Sequence, residues 1–286
     1  GYLRAVCHPD RQLALFNDSA MNMTPVPDAL LEYGQNLRIR LVATALGSSE
    51  CFNFSNSGLI RVEQDGWSLF FDAGAIGPDY NPGHAHADNL TFELSLDGRR
   101  FIVDTGTGIY GTGDKRQYQR STAAHNTVRV DKTDSSEVWS GFRVARRARP
   151  LGPPKISPSD GHIVCRAGHD GYTRLPGRVI HHRSIRTSAR EVMIQDDLSG
   201  NGEHHVELFL HFHPDFTVEK DASGWMVLER GSDVAKARIT IKGLDSCATE
   251  SYEYSPEFGL FLPAERLVGR KSARLPWTLQ TTITRW

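Results

Sequence analysis

The side chains best suited to chemistry crowd into one stretch, Gly83 to Asp131, which reads GHAHADNLTFELSLDGRRFIVDTGTGIYGTGDKRQYQRSTAAHNTVRVD. His84 and His86 stand two residues apart, so on an extended chain both imidazoles project to one side, as metal chelation or a paired acid/base role requires. Asp88 continues that side. The even positions that follow, Leu90, Phe92, Leu94 and Leu96, are all apolar. A simple strand would therefore bury both histidines, which is costly without compensation. A cation held by neutral imidazoles and a carboxylate supplies that compensation, and Asp104 and His125 are nearby candidates to complete the set. Register bears on this: a two-residue turn at Asp97-Gly98 sets Asp104 opposite Thr91, on the wrong face. A three-residue loop, or a bulge near Asp88, sets it on the right one.

The competing reading is a pair of hydrogen-bonded structural histidines, with His125 capping a helix or turn. Two known HxH metal signatures fit poorly. The metallo-β-lactamase pattern wants a histidine directly after the aspartate, where Asn89 stands, and the cupin pattern wants a glutamate closer to the second histidine than Glu93. The adjacent pairs His181-His182 and His204-His205 point to opposite faces of a strand, which suits chelation badly. His211 and His213 sit on a run whose Leu208, Leu210 and Phe212 make a half-buried strand the default. No phosphate-binding loop, nucleophile elbow or interleaving of basic and aromatic residues is present.

The elements that must position these groups are mostly short β-rich runs: Leu59 to Gln64, Trp67 to Phe71, Leu90 to Leu96, Arg99 to Val103, Thr127 to Val130, Val179 to Ile185, Val206 to Phe212 and Val234 to Ile241. Asp65-Gly66 and Asp97-Gly98 fall between apolar runs, where both residues tolerate the positive φ of a tight hairpin. With no alternation of strands and long helices, the pattern predicts an all-β fold, a large antiparallel sandwich. Before it, Pro27 and Asp28 look like a helix start, and Ala29, Tyr33, Leu37 and Leu41 recur every four residues. The expected division is a helical segment over residues 1–45 and a β-sandwich domain over 46–286.

The chain has 286 residues with 39% hydrophobic content, enough for a real core. Its 33 basic and 34 acidic residues leave a net charge of -1, so no whole-molecule field draws it to nucleic acid or an anionic membrane, and neither is an expected partner. Any polyanion must be held by local groups. No apolar run approaches a membrane span. The four cysteines form no CxxC pair, which argues against a zinc ribbon or thioredoxin-type site and leaves disulfides open. The first residue is Gly1 and no signal peptide follows, which reads as a start inside a longer precursor.

The central stretch resembles the heparinase II/III-like polysaccharide lyases. Their β-domain pattern contains HxHxD, then a hairpin ending in D-x-G, a tyrosine, and R-S-T-x-x-H-N-T-V. Here these are His84, His86 and Asp88; Asp104 and Gly106; Tyr110; and Arg120, Ser121, Thr122, His125, Asn126, Thr127 and Val128. Weaker similarity runs back through HPDRQLALFNDSA, resembling the end of the family's α/α-toroid, and forward through WSGFR at Trp139 to Arg143 and HHRSIR around Arg183.

The resemblance implies a supersandwich-like β-domain preceded by the last piece of a toroid, with that toroid as an upstream partner. It implies β-elimination of a uronic-acid polysaccharide such as alginate or a glycosaminoglycan, and a periplasmic or secreted location. In such lyases a structural zinc ion is held by the equivalents of His86, Asp104 and His125. His84 would be the catalytic residue facing the substrate, while Tyr110 and Arg120 would contact sugar, with Tyr118 competing for the tyrosine role. The family's principal catalytic tyrosine lies on the toroid, so little or no activity is expected from this chain alone. Two alternatives remain at this point: a non-catalytic glycan-binding or assembly protein on the same scaffold, and a hydrolase using zinc-bound water.

Overall fold

Turn chemistry shapes the first sheet. In the computed structural model, which describes residues 2–39, 49–159 and 161–286, both Asp-Gly pairs close hairpins with positive φ at each residue: 47° and 93° at Asp65-Gly66, 49° and 82° at Asp97-Gly98. They belong to a five-stranded antiparallel meander of Ser49–Phe54, Leu59–Gln64, Trp67–Asp72, Phe92–Leu96 and Arg99–Ile102, paired in chain order. Among the described residues, all eight runs read as strands are strands, with ends shifted by a few residues.

Two further antiparallel sheets complete the fold. A four-stranded one pairs Ser246–Tyr254, Leu262–Arg274, Glu203–His211 and Val128–Val130 in that order. An eight-stranded one runs from Phe216–Asp221 at one edge, through Trp277–Arg285 and Ile180–Thr187, to Lys155–Ser159 at the other. One continuous core draws on all three, with Phe71, Phe92 and Phe101 from the first, Val128, Val206 and Leu208 from the second, and Ile185, Ile194 and Ile283 from the third. The all-β sandwich expected from the pattern is what forms, because alternating strands have a single apolar face to bury and sheets satisfy that face to face.

The segment ahead of the sheets is less helical than its periodicity suggests. Helices cover Tyr2–Ala5 and Pro27–Asn36, and Tyr33 and Leu37 of the four-residue stripe are exposed. Leu41 lies outside the described residues. Between the helices, residues 7–19 are fastened to the first sheet by buried polar contacts. His8 meets Glu93 at 2.6 Å and Ser95 at 2.7 Å, Arg100 reaches Asp10 at 2.6 Å, and the Leu15 N–H donates to Glu93 at 2.7 Å. The four cysteines are unpaired.

Candidate functional site

The HAHADN segment is no strand. Strand Phe92–Leu96 begins only after a turn in which the Thr91 N–H donates to the Asp88 carbonyl and Leu90 takes φ +64°, a conformation rarely adopted by non-glycine residues. What holds this irregular stretch is the RST-x-x-HNT segment, whose side chains grip alternate carbonyls. Arg120 donates to the Ala85 carbonyl at 3.1 and 2.9 Å, the Thr122 hydroxyl to Ala87 at 2.8 Å, and the Thr127 hydroxyl to Asn89 at 3.0 Å. With the odd-numbered carbonyls tied down, His86 and Asp88 turn the other way. Asn126 locks the arrangement to two sheets. Its amide donates to the carbonyls of Phe92 and Val103 at 2.9 Å each, and its oxygen accepts the His211 N–H at 2.8 Å.

His86, Asp88 and His125 converge, one donor atom of each within 4.8 Å of the others and all three buried. Their orphaned atoms match this convergence: His86 Nδ1, Asp88 Oδ2 and His125 Nε2 are buried without a hydrogen-bond partner. Leaving three such atoms unmet would be costly, and a cation bound among them resolves all three. Imidazole and carboxylate donors are a set that zinc accepts. The residues present therefore fit a metal.

Asp104, expected as a ligand, stands one step back. Its Oδ2 takes the His125 Nδ1 at 2.7 Å and its Oδ1 accepts the Gly106 N–H at 3.0 Å, and the structure places Asp88 in the trio instead. A carboxylate behind a metal-binding histidine orients the ring and raises its basicity. The register question resolves through a bulge, though not near Asp88. Ser95 pairs with Arg100 and Leu94 with Ile102, so Phe101 is the extra residue and Asp104 is carried to the side of Phe92. Gly106 has φ +74°, and a Cβ there would run into the Ser255 carbonyl.

The electrostatics carry the same demand for a cation. Burial raises Asp88 to about 8, with Asp72 and Asp104 adding their repulsion against the pull of His125. Burial likewise raises Asp72, to about 6, and Asp104. His125 is raised because Asp104 and Asp88 outweigh its burial. Burial, aided by His125 and Arg116, takes His86 down to about 3, so its ring is neutral.

His84 lies at the surface, its side chain 67% exposed, with Nδ1 2.9 Å from Asp18 Oδ2. The other oxygen of Asp18 sits 2.8 Å from His86 Nε2, so the HxH rings share one carboxylate. Arg116 forks onto both its oxygens at 2.5 and 2.7 Å. Burial alone would raise Asp18, but His86 and Arg116 hold it well below the ordinary carboxylate range. Around His84 stand Tyr110 and Phe142, with ring centroids 6.3 and 6.2 Å away, and Phe258 packs 4.6 Å from Tyr110. A cleft of about 290 Å³ opens beside His84, lined also by Asn17, Ile76, Tyr80 and Pro82.

Among the expected sugar contacts, Tyr110 is thus beside His84, while Tyr118 is turned away, its hydroxyl accepting from Arg266 at 2.8 Å. Arg120 requires correction. It is fully buried, and its guanidinium is used on the Ala85 and Trp139 carbonyls, so it builds the turn and offers nothing to a ligand. Sequence reasoning missed Asp18 and Arg116. Asp18 lay inside the HPDRQLALFNDSA similarity, but nothing local links it to histidines 66 and 68 residues away.

His169, His181 and His204 serve the framework. His181 links His169 at 3.2 Å to Asp196 at 2.7 Å, and His204 meets Asp131 at 2.7 Å.

Residues 47–281 match the family model described as "Heparinase II/III-like, C-terminal". No curated protein sequence matches the chain. Among solved structures, it is similar to a heparinase III, the BT4657 gene product, at 17% identity and a TM-score of 0.74, covering 99% of this chain and 45% of that one. A second heparinase III matches at 15% identity and 0.75, covering 99% and 47%. The heparan sulfate lyase HepC from Pedobacter heparinus matches at 18% and 0.74, covering 99% and 45%. The chain therefore spans less than half the length of these relatives, and at such identities the likeness concerns the fold.

Proposed function

This chain belongs to the heparinase II/III-like family, and from that premise we propose that it forms the β-domain wall of a polysaccharide lyase acting on a uronic-acid polymer. The observation that carries the reading is His84, an exposed imidazole with one nitrogen tied to a buried carboxylate and the other free, beside the Tyr110 and Phe142 rings and at the rim of a cleft. β-Elimination removes the proton α to the uronate carboxylate, breaks the bond to the β oxygen, and leaves a carbon–carbon double bond while the departing oxygen gains a proton. That α proton is far too weakly acidic for a side-chain base unless the carboxylate is neutralised. His84 supports this by donating to the carboxylate when charged, or by sharing the proton transfer when neutral.

Tyr110 offers a ring face to the sugar. Burial, with Asp18 nearby, raises its phenol, which favours the protonated form and a role as donor or platform. A main base supplied from outside this set is part of the proposal, and with it little or no activity from these residues alone. His86, Asp88 and His125 would hold a zinc ion, with Asp104 behind His125. Bound there, the ion neutralises buried carboxylates and pins two segments together. A periplasmic or secreted location is part of the same proposal.

The test is ultraviolet absorbance from the new double bond, with full-length protein on alginate and glycosaminoglycan panels. Absorbance that disappears in His84→Ala is the expected result. Silence on every uronate polymer refutes the reading.

A further inference from the structure

Five donor atoms meet the carboxylate of Asp18, whose side chain is only 3% exposed, the Thr107 hydroxyl among them at 3.4 Å from Oδ1. Oδ1 faces His86 Nε2 at 2.8 Å and Arg116 Nη1 at 2.5 Å, and Oδ2 faces His84 Nδ1 at 2.9 Å and Arg116 Nη2 at 2.7 Å. An ionised carboxylate only accepts hydrogen bonds, so each ring nitrogen facing it must carry a hydrogen. A neutral His86 therefore has its lone pair on Nδ1, a buried atom without a hydrogen-bond partner in the ring that converges with Asp88 and His125. A neutral His84 has its lone pair on Nε2, away from Asp18 and open to solvent.

We infer that Asp18 is a positioning residue that sets the tautomers of both histidines at once, making the metal trio and the exposed His84 a single hydrogen-bonded unit. The inference rests on the reading above for the roles of the two histidines. Asp18 lies outside residues 47–281, so the N-terminal segment completes a site that the family match does not span.

Its placement is built in from several sides. Asn17 takes φ +54° and its side-chain oxygen accepts the His86 N–H at 3.1 Å, while the Thr107 hydroxyl donates to the Asn17 carbonyl at 3.3 Å. Arg116 is itself buried, donates to the Gly141 carbonyl at 3.1 Å, and lies 5.0 and 5.3 Å from the ring centroids of Tyr110 and Phe142. The arginine that aligns Asp18 thus also backs the two aromatic rings that flank His84. A guanidinium forked onto both oxygens leaves the carboxylate little freedom to rotate, so the two imidazoles are held in fixed relation.

An asparagine at this position has one acceptor and one donor end. It cannot accept from both rings and from Arg116 together, so one imidazole must adopt the other tautomer or lose its partner. The experiment uses the intact protein labelled with ¹⁵N-histidine. Long-range ¹H–¹⁵N correlation spectra of the wild type are expected to show His84 protonated on Nδ1 and His86 on Nε2, and the reverse assignment for either ring overturns the inference. In Asp18→Asn, zinc affinity, measured by competition with a chromophoric chelator, is expected to fall about 10–100-fold, with His84 losing its single tautomer. Zinc affinity within twofold of wild type, with both tautomers retained, overturns it as well. A wild-type chain that takes up no zinc sinks the metal reading alone, and the ring tautomers then decide the role of Asp18. Should Asp18→Asn not fold, the wild-type spectra still decide between the two outcomes.

Discussion

Adding zinc to the metal-free chain is expected to raise its melting temperature, and to raise it more at pH 8 than at pH 6. The sign follows from the buried acids. Asp88 is lifted from 3.8 to about 8 in the folded chain, so the folded state keeps a proton that the unfolded state has lost. The stability tied to that proton is fully present below pH 4 and is lost as pH climbs towards 8, with a slope of up to about 1.4 kcal/mol per pH unit for one proton. His125, also raised, adds loss at the upper end of the window. Zinc must displace those protons to bind, so its affinity should strengthen on the order of tenfold per pH unit for each proton released. At a free zinc concentration 100 times Kd the gain is about 2.7 kcal/mol, or roughly 5–11 °C at about 2–4 °C per kcal/mol. Scanning calorimetry at pH 6, 7 and 8, with and without zinc, measures the increments. Titration calorimetry in buffers of different ionisation enthalpy counts the protons released. A melting temperature indifferent to zinc throughout, or an increment larger at pH 6 than at pH 8, refutes the reasoning.

Three substitutions probe the supports of the site. Asp104→Asn leaves the fold in place but weakens the orientation of His125, and chelator competition should show zinc affinity down by about 10–100-fold. Arg183 is buried, pairs with Asp196 at 2.7 and 3.0 Å, and donates to the carbonyls of Leu90 and Asn126 at 2.7 and 2.6 Å, so it clamps the two segments that carry Asp88 and His125. Arg183→Met leaves buried Asp196 without its cationic partner and with the His181 imidazole still on it, and should cost about 3–5 kcal/mol in denaturant melts, with partial recovery in the Arg183→Met/Asp196→Leu double variant. Gly106→Ala sets a side chain at positive φ against the Ser255 carbonyl. A loss of at least about 1–2 kcal/mol is expected from the backbone conformation alone, read as a lowered denaturation midpoint.

The parts of the fold legible in the sequence are those with short-range causes. Asp65-Gly66 and Asp97-Gly98 announce their hairpins because positive φ is a property of those two residues and their neighbours. The strand runs are visible because alternation and β-branching act over a handful of positions. His86 and His125 were recognisable as partners through the HxHxD and RST-x-x-HNT patterns. Asp88, the aspartate of the same HxHxD pattern, becomes the third member beyond which the chain turns at left-handed Leu90. Arg120 shows the opposite case. Its motif position was plain, but the direction of a long side chain depends on what surrounds it, and here backbone carbonyls claim it.

The sequence by itself determined the antiparallel β architecture, its hairpins and the central stretch in which chemistry is concentrated, since each is written in residue type and spacing. The tertiary structure decided which carboxylates meet which imidazoles. The bulge at Phe101 sets Asp104 behind His125, and the docking of residues 7–19 on the first sheet delivers Asp18 to His84 and His86. Both depend on contacts between segments far apart in the chain, whose geometry follows from packing that no local pattern encodes.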